Sequence, residues 1–403
     1  MTTGLGALVR QPLWRRWTAA SFLGRLPMTM TLLALILVGE EATGSLAIGA
    51  QLAGVATFTA GITAPLRGRQ LDRGGLREGL RNGALLTAVV LVAMAGAVIL
   101  DLPVWVLFAL AAAQGTALAA LSGGFRALLV PVVSAEDLPR ANTLEAVFIE
   151  VAFVAGPSLA GVLAMLVGPV GVLLAMAGAA GGAAVLVMTL PPVTGSAPGE
   201  TAAPWRTRGA MPVYLIAMTI GVTFGLLESA LAPRVEELGL TAASAGPLLA
   251  LTAAGSALGG VFAALRRDHR RHQVRIAVAL LASFGVLMAA VASSGSVLVL
   301  AVLLFAVGIP IAPLNALGAL RLQDVLPVSR LGEGFALYTA AILVGAGLGQ
   351  SITGQLLDDV GAQALLMATG AVPAAVAVVV TGRVATSKRR RAAAAAAVSA
   401  AQR

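Results

Sequence analysis

The feature that most limits what this chain can fold into is a series of apolar windows. Each is about 20 residues long, the length a helix needs to cross roughly 30 Å of hydrocarbon at 1.5 Å per residue. They fall at residues 17–38, 45–66, 82–101, 104–125, 142–166, 168–190, 211–233, 243–265, 276–294, 297–320, 334–357 and 361–382. Only Asp101, Leu102 and Pro103 divide the third from the fourth, and only Gly168 and Pro169 divide the fifth from the sixth. With no water in the bilayer core to pair with the backbone, segments of this kind must be helices. The expectation is an all-α integral membrane protein of 12 transmembrane helices. Composition agrees, since 58% hydrophobic and 11% charged residues over 403 positions leave too little polar surface to clothe a soluble domain. The first sixteen residues hold arginines but no apolar run of the signal-peptide type, and the window that follows is long enough to span and remain.

Orientation follows from the basic residues. With the N-terminus cytoplasmic, all of the 27 lysines and arginines except Arg25 and Arg234 fall on the inner side. The outer loops carry Glu40, Glu41, Asp101, Glu236, Glu237, Asp358 and Asp359. Both termini are therefore expected in the cytoplasm. The formal net charge of +9 then reads as arginines facing anionic lipid rather than nucleic acid. The basic, alanine-rich tail at 384–403 is expected to hold the last helix against the membrane surface. The Ala/Arg-rich usage, with one lysine, points to a GC-rich bacterial genome and hence to the inner (cytoplasmic) membrane.

Several functions are excluded. There is no cysteine, and the two histidines, His269 and His272, share one arginine-rich run, so neither a metal site nor a cofactor is expected. No phosphate-binding loop occurs, and Gly345 to Gln350 (GAGLGQ) has no strand before it to make it one. A membrane enzyme would need paired acids, histidines or a metal set near the bilayer, so no enzymatic activity is expected. A channel would more naturally be a smaller symmetric oligomer.

Internal symmetry organises the rest. The longest polar interval contains residues 201–210 and splits the windows six and six. That gives an N-terminal half over 1–195, a linker over 196–210, a C-terminal half over 211–383 and the tail over 384–403. A basic hairpin at 66–81 lies between windows 2 and 3, and another at 265–275 between windows 8 and 9. Parallel six-helix repeats place a substrate site between the halves. The first hairpin reads Gly68-Arg69-Gln70-Leu71-Asp72-Arg73-Gly74-Gly75-Leu76-Arg77-Glu78-Gly79-Leu80. It resembles the loop signature G-x-L-a-D-r-x-G-r-k-x-x-l of the major facilitator superfamily, departing from it at Gln70 and Leu76. Gly68, Gly74 and Gly75 suit a tight turn, and Asp72 suits the positive end of the helix dipole near Gly332 to Phe335. The resemblance implies a conformational latch made by Gly68, Asp72, Arg73, Gly75 and Arg77. Gly156-Pro157-Ser158-Leu159-Ala160-Gly161 resembles in part the antiporter motif of the same family, with Ala152 and Ala160 in place of two glycines. Gly156, Pro157 and Gly161 are thus expected to form a proline-kinked hinge, and Gly345 and Gly349, extended by Thr353, a close-packing face.

Charges inside the windows need a reason, since each costs about 2.5–3.5 kcal/mol on insertion. Arg25 and Glu150 fall at similar depth in windows 1 and 5, which the resemblance makes neighbours, so they are expected to pair, with Arg126 and Glu145 nearer the cytoplasm. Such a pair is either static or opens during transport. Glu228 has no basic residue in its window. The resemblance makes that window line the cavity, where Glu228 serves as a proton carrier or a cation site unless it only reaches outer water beside Arg234. Gln114 and Asn315, with Tyr338 and Gln350, are candidate hydrogen-bonding groups of the cavity or polar contacts between helices. The reading is a monomeric secondary transporter working by alternating access: a proton-coupled exporter of small organic molecules or drugs, with Glu228, Glu150 and Arg25 as coupling candidates. The alternative is a proton symporter importing a metabolite.

Overall fold

The computed structural model describes the chain except residues 1–4, 120, 135, 193–206, 208, 266–272, 327–330 and 402–403. The side chains of Asp72, Arg73 and Glu150 also lie outside the described residues, as do His269, His272 and most of the expected linker. The helices are α1 (Leu5–Arg10), α2 (Pro12–Thr43), α3 (Leu46–Gly74), α4 (Leu76–Ile99), α5 (Val104–Leu118), α6 (Leu121–Leu129) and α7 (Leu138–Val187). They continue with α8 (Met211–Glu237), α9 (Ala245–Leu265), α10 (Gln273–Ala292), α11 (Val297–Gly308), α12 (Ile311–Val325) and α13 (Leu331–Ala401). Among the described residues ten stretches are long and apolar enough to cross a membrane. Two of these, of 41 and 44 residues, contain a break, at Gly168 (φ 73°, ψ 169°) and Gly361 (φ 76°, ψ 163°). Both breaks use the left-handed region that only glycine enters without strain.

Local chemistry fixes the other boundaries. Ser45 and Ser296 cap α3 and α11, accepting the Ile48 and Val299 N–H groups. The turn between α3 and α4 is made by Gly75 alone (φ 89°). Gly68, expected in that turn, lies inside α3 with open space around it, because one left-handed residue is enough to end α3. The fourth and tenth windows are each one membrane-crossing stretch, interrupted inside at Ala119 (ψ 132°) and, with backbone angles still helical, at Ile309–Pro310. The same contacts recur at both places. In the first half Gly115 rests on the Ala56 carbonyl, and the Thr59 hydroxyl lies 3.2 Å from the Ala112 carbonyl oxygen. In the second half Gly308 rests on the Thr252 carbonyl, Gly255 on that of Phe305, and Gly259 on that of Ile309.

The acidic ends of α2, α8 and the first part of α13 lie together, and Glu237 accepts the Ala362 N–H at the Gly361 break. α3 runs against α13 from the acidic end to the basic end. Gly54 meets Ser351 and Gly347, Gly61 meets Val344, and Gly354 meets Ala47 and Gln51, whose Nε2 donates to the Gly354 carbonyl at 2.9 Å. A second seam joins α7 to α9, where Gly161 faces the Ala243 carbonyl and Gly246 faces that of Pro157. At the basic end of the first half, buried Trp14 and Trp17 pack with Phe125, and the Trp17 indole donates to the Phe125 carbonyl at 3.0 Å.

Candidate functional site

Arg25 is 3% exposed, and its guanidinium is bonded through Nε and Nη2 to groups on α6 and α7. Its Nη2 donates to Glu145 Oε1 at 2.7 Å and to the Ser122 carbonyl at 3.3 Å, its Nε reaches Ser122 Oγ at 3.3 Å, and the Phe125 ring lies 5.8 Å away. The other Glu145 oxygen accepts Arg126 Nε at 2.9 Å. Glu145 is wholly buried, whereas the Arg126 side chain is 60% exposed. Glu145 is thus a carboxylate on Arg25, while the side chain of Glu150, the partner expected for it, lies outside the described residues.

The second half holds the other polar groups. Tyr338 donates to Asn315 Oδ1 at 3.4 Å, joining α13 to α12, and Gly318 leaves the room that the Tyr338 phenol fills. Gln350 is 2% exposed and its Oε1 has no hydrogen-bond partner. Gln114, in the first half, is wholly buried and neither of its amide atoms is paired. Glu228 is partly buried on α8 and forms no hydrogen bond or ion pair among the described residues. Arg234, beside which Glu228 could reach outer water, bonds through Nη1 to Glu237 at 2.5 Å and through Nη2 to the Ser294 carbonyl at 2.6 Å, while its buried Nε has no partner among the described residues.

Glycines set how closely the surrounding helices approach. Gly345 and Gly349 lie against the Met218 and Val222 carbonyls of α8, while Gly221 and Gly225 lie against Ile342 and Ala346 of α13. Gly156 backs onto Thr29 of α2. Apart from Gly168, α7 keeps helical backbone angles throughout, Pro157 included. In the stretch at 66–81 Arg69 crosses to the second half, 3.3 Å from Glu333 in the first turn of α13. Arg77, expected in the latch, turns instead toward its own half, because it follows the Gly75 turn on α4. It bonds Glu78 at 2.9 Å and the Leu190 carbonyl beyond the end of α7 at 3.3 Å.

Sequence reasoning missed Ser122 as a ligand of Arg25, Glu333 as the partner across the seam, and both helix breaks. Pro310 and Pro313 were an available signal for the second break; nothing comparable marks Ala119.

The sequence profile described as Major Facilitator Superfamily matches residues 17–265 and 213–402. No curated protein matches the sequence significantly. Among solved structures, the POT family transporter PepTSo superimposes with a TM-score of 0.75 at 10% identity, covering 93% of this chain and 98% of that one. The nucleoside transporter NupG gives a TM-score of 0.70 at 12% identity, covering 92% and 99%. A peptide transporter POT in complex with sulfate gives 0.71 at 15% identity, covering 91% and 93%. At such identities the likeness is one of fold.

Proposed function

The chain belongs to the Major Facilitator Superfamily, a multi-pass membrane transporter family, and on that footing we propose that it is a proton-coupled exporter of small organic molecules. Dividing the two longest stretches at Gly168 and Gly361 gives twelve spans, with the basic end and both termini cytoplasmic and the membrane that of a bacterium. The substrate is taken up between α1–α7 and α8–α13 and released by alternating access. The α3–α13 and α7–α9 seams are the surfaces on which the halves move, and Arg69–Glu333, with Asp72 beside it in sequence, holds the basic end shut between cycles.

The observation that carries the reading is Glu228. It is a carboxyl in the outer third of an apolar helix, and Arg234 on the same helix is bonded to Glu237 and Ser294. A carboxyl so placed must lose its charge or find a counter-charge to remain there. Proton binding at one side and release at the other supply both states. The Arg25–Glu145–Arg126 cluster, with both Glu145 oxygens bonded to guanidinium groups, acts as a fixed strut of the first half rather than as a second proton carrier.

The test is efflux of ethidium and a panel of antibiotics from a bacterial host lacking its own pumps, comparing wild type with Glu228→Gln. Efflux that a protonophore stops and Glu228→Gln abolishes supports the reading. Efflux indifferent to either refutes proton coupling through Glu228, and net uptake of the same compounds refutes export.

A further inference from the structure

The α8–α13 contact fixes the level and the facing of the two polar side chains that have no partner on it. Gly349 lies against Val222 and Leu226, and Gly225 lies against Ala346, so the helices run parallel and Glu228 is level with Gln350 and Ser351. On α8 the contact edge is formed by Met218, Gly221, Val222, Gly225 and Leu226, and on α13 by Ile342, Gly345, Ala346 and Gly349. At about 100° of rotation per residue, Glu228 lies roughly 90° around α8 from that edge. Gln350 lies roughly 80° around α13 in the opposite sense, and on two facing parallel helices opposite rotations bring side chains to the same side.

The segments of α2 (26–39), α3 (46–66), α9 (245–265), α12 (311–320) and α13 (334–357) contain no Asp, Glu, Lys, Arg or His. Tyr338, the one further titratable side chain in them, is three turns away and bonded to Asn315. Presented on that side are the two Glu228 oxygens and the Gln350 amide, whose Oε1 acceptor has no partner among the described residues.

We propose that Glu228 and Gln350 together bind an organic cation bearing N–H donors, that is, a primary or secondary ammonium, an amidinium or a guanidinium. The inference rests on Glu228 being the coupling residue and adds the class of substrate that the proton competes with. A quaternary ammonium satisfies the carboxylate but leaves Gln350 Oε1 without a donor. An anion or a neutral molecule leaves the carboxylate uncompensated. An N–H cation satisfies both, and its departure is favoured when a proton takes its place on Glu228. Gln350 is the specificity-determining partner, buried so that its unpaired acceptor is costly in every other complex.

The experiment is equilibrium binding of dansylcadaverine, a primary ammonium, and of its N,N,N-trimethyl analogue to the purified full-length protein in detergent, read by dansyl fluorescence. Wild type should prefer the primary ammonium by about tenfold, the worth of one hydrogen bond from a charged donor. Gln350→Leu should reduce the preference to about twofold or less by weakening the primary amine alone, and Glu228→Gln should weaken both probes. Gln350→Glu should instead tighten the primary amine, a gain that a misfolded protein cannot give. Equal binding of the two amines by wild type, no binding of either, or an unchanged preference in Gln350→Leu would each overturn the proposal. Because no gradient is present, a failure of proton coupling leaves this result untouched: selective binding without protonophore-sensitive efflux would refute the transport reading alone.

Discussion

Removing one member of the Arg25–Glu145 pair should cost far more than removing both. Arg25 is 3% exposed and Glu145 fully buried, so neither charge can turn to water when its partner is lost. Arg25→Met leaves Glu145 with only Arg126, whose side chain is 60% exposed and so contributes about 0–1 kcal/mol. Glu145→Leu leaves Arg25 with two 3.3 Å contacts to Ser122 and the Phe125 ring. Each single change should therefore destabilise the first half by about 3–5 kcal/mol, the cost of an uncompensated buried charge. The double variant Arg25→Met/Glu145→Leu replaces the pair with apolar side chains of similar volume and should recover most of that loss. Equilibrium unfolding in mixed micelles with increasing dodecyl sulfate measures all four proteins as a cycle. A double variant as unstable as the sum of the singles would refute the reasoning, because it would mean that the singles act by lost packing rather than stranded charge.

Other perturbations separate the remaining contacts. Arg126→Ala should cost about 1–3 kcal/mol in the same assay, less than losing Arg25, because one oxygen of the wholly buried Glu145 loses its donor while the other keeps Arg25. Gly349→Leu drives a side chain into the Val222 carbonyl, and overpacking of about 1–3 kcal/mol or more should appear as loss of monodisperse protein on size exclusion. Gly246→Val cannot stay seated on Pro157 and Leu33, so it should open the α7–α9 seam. In a chain without native cysteine, Leu33→Cys, 1% exposed at present, should then label faster with an impermeant maleimide added from the acidic side. Arg69→Glu and Glu333→Arg should each speed opening of the basic end, and the double charge swap should restore the wild-type rate, less visibly as salt rises.

What could be read from the sequence tracks what is periodic or one-dimensional. Ten membrane-crossing stretches, and the breaks at Gly168 and Gly361, follow from apolar length and from a few polar interruptions. The family likeness at 66–81 was carried by a local string of glycines, arginines and an aspartate. Pairing was less legible because it depends on the tilt and stem length of side chains on different helices. Arg25 bonds Glu145, which depth along the windows alone set nearer the cytoplasm. Arg77 stands in the same motif as Arg69, but a single left-handed residue at Gly75 sends the two to opposite halves. Glu228 could be singled out by the lack of a cation in its window. That Gln350 stands level with it, with an unpaired oxygen, required the glycine contacts of α8 and α13.

The resting place of the Ile309 carbonyl against Gly259 has a consequence for the lipid environment. Four residues after Ile309 comes Pro313, which has no N–H to offer, so that rung of the helical ladder is missing in the middle of the apolar region. An oxygen left facing hydrocarbon would cost several kcal/mol. The bare Cα of Gly259 closes over it with C–H contacts, a repair supplied by a different helix. A single methyl at position 259 would therefore do more than crowd two helices: by prising them apart it would uncover an oxygen that Pro313 has already left without its rung.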